Sequence, residues 1–174
     1  MRLTSGILIS PVIMALVAPA AMATVYLNPQ QALSVIFEGR SDFKTEFLKL
    51  AKEQRKAVSS STGLTVRDQE IQVWSAADGA RMYIDKVIGK HEFITFAVGV
   101  GADGEVLGVE ILEYKESYGG EIRRPQWRKQ FHGKKLSDPL KLDKDIANIS
   151  GATLSSRSVT DGVKRILAIR ALFS

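Results

Sequence analysis

In the first part of the chain, apolar residues recur every three to four positions, which is typical of amphipathic helices. The first predicted helix begins at Asn28 and Pro29, a capping residue followed by proline at the first helical position, and it ends near Gly39. A second helix is predicted over residues 41–58. The short polar run 59–63 that follows predicts a loop.

The central part of the chain alternates between apolar and polar residues, the pattern of half-buried strands. Asp103 and Gly104 lie between two such runs, and Asp-Gly at this position indicates a hairpin with a type I′ turn. Another turn is predicted over residues 76–79. The predicted strands cover residues 66–73, 81–88, 92–100 and 106–114.

Helical spacing returns in the last third of the chain. Residues 124–131 predict about two helical turns, with Trp127 and Phe131 on one face. Ser155 and Ser156 begin a longer periodic segment that runs to the end of the sequence. Helices on both sides of a run of strands indicate an α+β fold, an antiparallel sheet with N-terminal helices and a C-terminal helix packed on it.

The first 23 residues have the organisation of an export signal. Arg2 supplies a positive charge, an apolar run follows, and a small-x-small cleavage site ends at Ala23. We therefore expect a signal peptide over residues 1–23 and a single domain over residues 24–174. Because the apolar run is short for a membrane span of about 20 residues, cleavage is favoured. The alternative is an uncleaved anchor that associates the protein with the membrane.

The composition narrows the chemistry of the chain. It has no cysteine, which excludes disulfides, thiolate metal sites, iron–sulfur clusters and c-type haem. His91 and His132 are its two histidines, and neither is assigned a role. Redox chemistry would therefore need an organic cofactor. The 24 basic and 19 acidic residues are spread along the chain, so no nucleic-acid partner is expected.

A run of small residues, 150–156, precedes the last predicted helix. Small hydroxyl residues in this position are typical N-caps. The start of a helix also offers free N–H groups and positive dipole charge to an anion. Gly151 and Ala152 would let a bulky group approach the backbone. The residues alone leave two interpretations, a phosphate-binding site or an ordinary capped helix.

The sequence Ser-Gly-Ala-Thr that ends at Thr153, followed by an apolar residue and a serine, resembles the signature of the FMN-binding domain family. That family includes flavoprotein subunits of the sodium-pumping quinone reductase and of the related ferredoxin-oxidising membrane complex. Segment 116–122 resembles the family's Glu-Thr-Pro-Gly-x-Gly sequence, with Tyr118 in place of proline. The stretch from Tyr26 to Phe37 is similar to the family's opening helix.

The resemblance implies that a flavin transferase joins the phosphate of FMN to the Thr153 hydroxyl through a phosphoester. Neighbouring residues would line the phosphate and ribityl chain, namely Ser150, Gly151, Ala152, Leu154, Ser155 and Ser156. A second set would approach the flavin ring, namely Glu116, Ser117, Tyr118, Gly119 and Gly120. Tyr118 has two interpretations, a ring stacked on the isoalloxazine or part of a surface loop.

Four further side chains are candidates for cofactor contacts, each with a simpler explanation. Trp127 would pack beside the flavin ring, but the favoured interpretation is that it anchors its short helix in the core. Arg123, Arg124 and Lys135 would stabilise reduced, anionic flavin, but a solvated basic surface is favoured.

We therefore expect an exported, periplasmic flavoprotein with covalent FMN that transfers electrons for a membrane or periplasmic redox protein. An electron carrier or subunit is favoured over a stand-alone enzyme, because no general acid or base with a partner is visible. The alternative is a non-redox binding module of the same fold that holds a phosphorylated ligand or a partner protein. A flavin reductase with its own small substrate ranks last.

Overall fold

The computed structural model describes residues 24–116 and 118–173, which form one antiparallel six-stranded sheet with helices packed on it. The expected export signal over residues 1–23 lies outside the described residues. The α+β prediction is confirmed. The strands are β1 (Thr24–Val25), β2 (Lys44–Lys49), β3 (Glu70–Ser75), β4 (Arg81–Ile88), β5 (Phe93–Val100) and β6 (Val106–Tyr114), in the order β1-β6-β5-β4-β3-β2. The helices are α1 (Pro29–Ile36), α2 (Lys52–Thr62), α3 (Pro125–Arg128) and α4 (Thr153–Arg170).

Strands β3 to β6 form a meander close to the predicted one. β4 covers the predicted residues, and β5 begins at Phe93 instead of residue 92. β3 begins at Glu70 instead of residue 66. The predicted turn at 76–79 is confirmed, because the Ala76 N–H donates to the carbonyl of Ala80 across it at 2.9 Å.

The β5–β6 hairpin is confirmed, but its type I′ turn is wrong. That turn requires positive φ at both central residues, and only Gly104 has it here, at 81°. The Gly101 N–H donates to the carbonyl of Glu105 at 2.8 Å, which closes a five-residue loop. Asp103 shapes this loop through its carboxylate, which accepts the Glu105 N–H at 3.2 Å.

Residues 44–49 form the edge strand β2, so the predicted helix over 41–58 is wrong in its first half. All six residues of β2 pair with β3. The apolar positions that suggested a helix do not share a buried face, since Phe47 is 59% exposed while Leu48 packs against the core. Strand pairing therefore outweighs a helical spacing that rests on few residues.

Helix α1 is confirmed, and a capping box sets its start. The Asn28 side chain accepts the Gln31 N–H at 2.9 Å, and the Gln31 side chain accepts the Asn28 N–H at 2.8 Å. Together the two bonds satisfy two N–H groups that a helix start leaves free.

Helix α2 extends through most of the predicted loop 59–63. The hydroxyls of Ser59 and Thr62 donate to carbonyls of the same helix at 2.9 and 2.7 Å, so these polar residues are compatible with its last turn. The helix ends at Gly63, whose φ of 73° suits glycine.

The sheet carries an apolar layer on each face. α1 packs on one face, in a cluster that includes Ala32, Leu33, Phe37, Met82, Ala97 and Leu112. α4 packs on the other face against β4 and β5, in a cluster that includes Tyr83, Val87, Phe96, Val159, Val163 and Ile166. This second layer determines where the first turn of α4 lies relative to the strand ends.

Gly162 lets α4 approach the sheet closely. A Cβ atom there would lie 2.5 Å from Cζ of Phe96 and 3.2 Å from Cγ1 of Val87. We expect Gly162→Ala to lower the free energy of unfolding by about 1–2 kcal/mol, because overpacking outweighs the gain in helix propensity. Chemical denaturation measures this, with Ser158→Ala on the same helix as the matched control. Equal stability of the two variants would contradict the close approach.

Residues 124–131 form the two predicted helical turns, α3 followed by the 3-10 turn Lys129–Phe131. Trp127 is buried, and its Nε1–H donates to the carbonyl of Ala147 at 2.7 Å. Its ring meets that of Phe131 edge to face at 5.2 Å. Trp127 is therefore a core anchor, the interpretation favoured from the sequence.

Candidate functional site

Thr153 is the first residue of α4 and lies half-buried at the rim of a cleft. Among residues 24–116 and 118–173, nothing forms a hydrogen bond with its hydroxyl. Thr153 is therefore not sealed in the core, and its hydroxyl does not cap the helix.

The start of α4 has no side-chain cap, so the ordinary capped helix, one of the two interpretations left open by the residues, is not what the structure shows. Ala152 is the N-cap residue, and α4 begins two residues earlier than Ser155, the predicted start. The Ser156 N–H makes the first helical bond, 2.8 Å to the carbonyl of Ala152. The N–H groups of the three preceding residues have no partner within the helix, so this end is suited to an anion.

Tyr114, the last residue of β6, links the loop after this strand to the start of α4. Its hydroxyl donates to the carbonyl of Tyr118 and lies 3.2 Å from Oγ of Ser155. Burial raises the pKa of the Tyr114 hydroxyl, which keeps it protonated as a donor. Gly119 fits beneath this contact with a φ of 88°, and its Cβ position would be 2.6 Å from the Tyr114 oxygen. The two segments that resemble the family's motifs therefore meet here.

We expect Tyr114→Phe to lower the free energy of unfolding by about 1–2 kcal/mol. The variant removes the donor to the Tyr118 carbonyl and leaves Oγ of Ser155, which is buried, without this partner. Urea denaturation measures the loss. Tyr26→Phe is the matched control, because no hydrogen bond to the Tyr26 hydroxyl is present among the described residues. Equal stability of both variants would show that the Tyr114 contact is unimportant.

The cleft beside Thr153 has a volume of about 710 Å³, within the range of about 300–1,000 Å³ usual for small-molecule sites. Two apolar side chains stand at its mouth, Tyr118 with 86% of its surface exposed and Leu154 with 47%. Both are available to cover a flat ring. The cleft is lined by Lys90, His91, Glu92, Lys115, Glu116, Tyr118, Gly151, Ala152, Thr153, Leu154 and Ser155.

Charged side chains of both signs line the cleft. Lys90 and His91 belong to the turn between β4 and β5, and Lys115 follows β6 with its Nζ 3.4 Å from a carboxylate oxygen of Glu113. The Glu116 carboxylate is occupied by N–H groups of the same turn. The ammonium group of Lys90 and the free N–H groups of α4 therefore lie at the same cleft.

Reasoning from the sequence missed four of the lining residues, Lys90, His91, Glu92 and Lys115. The order of the predicted strands would have identified them. In an antiparallel meander, the turn between the predicted strands 81–88 and 92–100 lies at the same end of the sheet as the residues that follow strand 106–114. That argument places the turn beside Glu116.

Several predicted site residues lie outside the cleft. Ser150 is exposed but does not line it, and Ser156 is fully buried with its Oγ unpaired among the described residues. Gly119 and Gly120 line a neighbouring hollow of about 540 Å³ instead. Ser117 is outside the described residues. The cleft thus contains most of the predicted set, but not all of it.

The candidate arginines and lysine also lie away from the cleft. Arg123 and Arg124 line the neighbouring hollow, and the Arg123 guanidinium lies 3.9 Å above the ring of Tyr26. The Lys135 Nζ is 2.8 Å from the Asp103 carboxylate, in the hairpin loop at the opposite end of the sheet. Lys135 therefore belongs to the charged surface, the interpretation favoured from the sequence.

A cleft that joins an uncapped helix start, a hydroxyl without a partner among the described residues and two exposed apolar side chains is suited to an anionic organic ligand. Residues 89–168 match the family model described as "FMN-binding domain", and this range contains both Thr153 and the segment around Glu116. Residues 89–168 therefore form a domain of the FMN-binding family, which confirms the resemblance.

Two relatives with related sequences are, by name, subunits of Na⁺-translocating oxidoreductases. One is a subunit of the Na⁺-translocating NADH-quinone reductase of Vibrio vulnificus, 30% identical over 140 aligned positions, which cover 62% of this chain and 55% of the relative. Another is a subunit of the Na⁺-translocating ferredoxin:NAD⁺ oxidoreductase complex of Acetobacterium woodii, 31% identical over 80 positions, covering 41% and 39%. The chain thus spans about half or less of the length of these relatives.

A solved structure with a similar fold is that of a subunit of the Na⁺-translocating NADH-quinone reductase from Parabacteroides distasonis. The TM-score is 0.56 with 16% sequence identity, covering 83% of this chain and 89% of that one. The likeness establishes the fold. Within residues 24–116 and 118–173, no helix has the length and apolar character needed to cross a membrane.

Proposed function

We propose that this protein is an exported flavoprotein that carries FMN covalently on Thr153 and exchanges electrons with a membrane or periplasmic redox protein. The observation that carries the proposal is the Thr153 hydroxyl, unpaired among the described residues, on the rim of a cleft of suitable size. The family match supports FMN as the ligand. The names of the relatives support a redox partner in a membrane.

Attachment would use the Thr153 hydroxyl as the acceptor of a phosphoryl group. Its oxygen forms a bond to phosphorus and loses its proton, while a phosphoanhydride bond in an activated flavin nucleotide breaks and the other nucleotide leaves. A separate flavin transferase is needed, because no histidine or carboxylate among the described residues forms a hydrogen bond with this hydroxyl. The product is a phosphodiester anion at the start of α4, where the helix dipole and N–H groups stabilise it.

The remaining lining residues would orient and screen the cofactor. Bound FMN would supply one-electron and two-electron redox chemistry. Lys90 and Lys115 favour negative charge in the cleft, and the buried Ala152 and Ser155 close its floor. Tyr118 and Leu154 lie at the open mouth, where they would cover part of the ring and leave an edge accessible to a redox partner.

Co-expression with a flavin transferase tests the proposal. The denatured, purified chain should gain the mass of one FMN minus water. It should keep a yellow colour after acid precipitation, and its absorbance near the flavin maximum should bleach on reduction. A chain that remains colourless and unmodified under conditions that flavinylate a known acceptor would overturn the proposal.

Export is part of the proposal and rests on the charged start, apolar run and small-x-small site of residues 1–23. Cell fractionation followed by N-terminal sequencing tests it. Recovery from the periplasm with a new N-terminus after Ala23 is the expected result. Recovery from the cytoplasm with Met1 intact would contradict export.

Tyr118 supports a second candidate function, a non-redox module of the same fold that holds a phosphorylated ligand or a partner protein. It replaces the proline usual in the family and is 86% exposed. Under this alternative, a phosphorylated ligand would bind reversibly to the unmodified chain, and Thr153→Ala would leave that binding in place. The same co-expression experiment separates the two functions.

A further inference from the structure

The turn between β4 and β5 forms one wall of the cleft beside Thr153, and the Glu116 carboxylate holds it. Oε1 of Glu116 accepts the N–H of His91 at 2.5 Å and the N–H of Glu92 at 3.0 Å. The Gly89 N–H donates to the carbonyl of Glu92 at 2.9 Å, which closes the turn. A carboxylate that accepts several backbone N–H groups in one turn restricts its conformation strongly.

Gly89 shows how closely the carboxylate sits against this turn. A Cβ atom at Gly89 would lie 2.7 Å from Oε1 of Glu116 and 3.2 Å from Cδ1 of Ile94. Gly89 has no positive φ, so alanine is compatible with its backbone. Gly89 is therefore needed because a larger side chain would collide with Oε1 of Glu116. This is the oxygen that accepts the hydrogen bonds from the turn.

The charge of Glu116 is compensated by the turn. Burial alone would raise the pKa of this carboxyl, but the N–H groups of Glu92, His91 and Lys90 hold it below its ordinary value. A carboxylate directed at the phosphate or at reduced flavin would repel it, whereas one that is bonded to backbone N–H groups need not. The close contact with Gly89 and the bonds to backbone N–H groups both indicate that Glu116 supports the turn that borders the cleft.

We propose that Glu116 is a positioning residue, whose carboxylate holds turn 89–92 so that Lys90 and His91 form the wall of the cleft facing Thr153. The resemblance by itself implied that Glu116 approaches the flavin ring. In the structure Glu116 lines the cleft, but its carboxylate is engaged with the backbone N–H groups of the turn. The consequence for flavin attachment rests on the proposed function, but the consequence for the turn does not.

Amide hydrogen exchange of the unmodified full chain tests the turn by itself. Glu116→Ala should speed exchange of the His91 and Glu92 amides by about tenfold or more, the factor expected for the loss of about 1.4 kcal/mol of protection. Glu116→Gln should restore protection to within about threefold of the parent, because its amide oxygen still accepts. Glu92→Ala, which removes a carboxylate from the same turn without removing these bonds, is the control.

Gly89→Ala provides a second, independent variant. In the parent it should push the carboxylate away and speed exchange of the same amides, whereas in the Glu116→Ala background it should add less than about twofold, since the clash is gone. Independent effects of the two substitutions would overturn the proposal. Unchanged exchange of the two amides in Glu116→Ala would also overturn it.

The initial rate of FMN attachment by a flavin transferase tests whether the position of turn 89–92 matters for the cleft. We expect a loss of about tenfold in Glu116→Ala and in Gly89→Ala, with Glu116→Gln close to the parent. Loosened amides with parental attachment in every variant would overturn the positioning role. If the parent itself acquires no flavin, the proposed function fails, and the exchange data still decide whether Glu116 holds the turn.

Discussion

Thr153→Ala is expected to abolish covalent flavin attachment completely. The substitution removes the only atom in the predicted signature position that can form the phosphoester, so mass spectrometry should show the unmodified chain alone. Because Thr153 is half-buried and its hydroxyl has no partner among the described residues, the free energy of unfolding should change by about 0.5 kcal/mol or less.

Two further variants at this position separate the effect of the hydroxyl group from the effect of side-chain shape. Thr153→Val retains the branched side chain without the hydroxyl and should also remain unmodified, whereas Thr153→Ser retains a hydroxyl and should acquire some flavin. Ser158→Ala removes a hydroxyl from the same helix, outside the cleft, and should be flavinylated like the parent. An FMN-sized mass increase in Thr153→Ala would assign the attachment to another residue.

Gly119→Ala is expected to cause the largest loss among single substitutions around the cleft. Gly119 has a φ of 88°, which costs an alanine about 1–2 kcal/mol, and its Cβ would also lie 2.6 Å from the Tyr114 oxygen. Because the strain and the displaced hydrogen bond add, we expect the free energy of unfolding to fall by about 2–3 kcal/mol. Flavin attachment should fall as well, since the loop and the start of α4 separate.

Gly120→Ala is the matched control for this prediction. Gly120 is the next residue, has no positive φ, and a Cβ there would meet only the flexible Arg123 side chain at 3.8 Å. Its free energy of unfolding should stay within about 1 kcal/mol of the parent. Denaturant titration of both variants decides the matter, and equal losses would show that Gly119 has no special place in the site.

Local signals in the sequence predicted the elements that depend on neighbouring residues. Asn28 sets the start of α1 through its two hydrogen bonds with Gln31, and the alternation over 81–88 predicted β4 with the bounds that the structure has. The prediction was wrong for 44–49, where pairing with a strand about 25 residues away decides the conformation. No local pattern records that pairing.

The residues of the candidate site also fall into two groups, those that local sequence identifies and those that only the fold brings together. Thr153 and the small residues beside it are adjacent in sequence, so a short motif was enough to single them out. Lys90 and His91 reach the cleft only because the meander folds the β4–β5 turn back beside the end of β6. Ser156 belongs to the same run of small residues, but its position on the helix directs its side chain into the core and away from the cleft.

The sequence by itself determined the α+β class, the proposed attachment residue and the kind of cofactor that residues 89–168 are built to hold, because these depend on short runs of particular side chains. The tertiary structure decided which backbone N–H groups stay free at the start of α4 and which distant turn completes the cleft. It also decided that the Glu116 carboxylate bonds to the N–H groups of that turn. These features follow from packing and strand order, which bring together groups far apart in the chain at distances that local patterns do not specify.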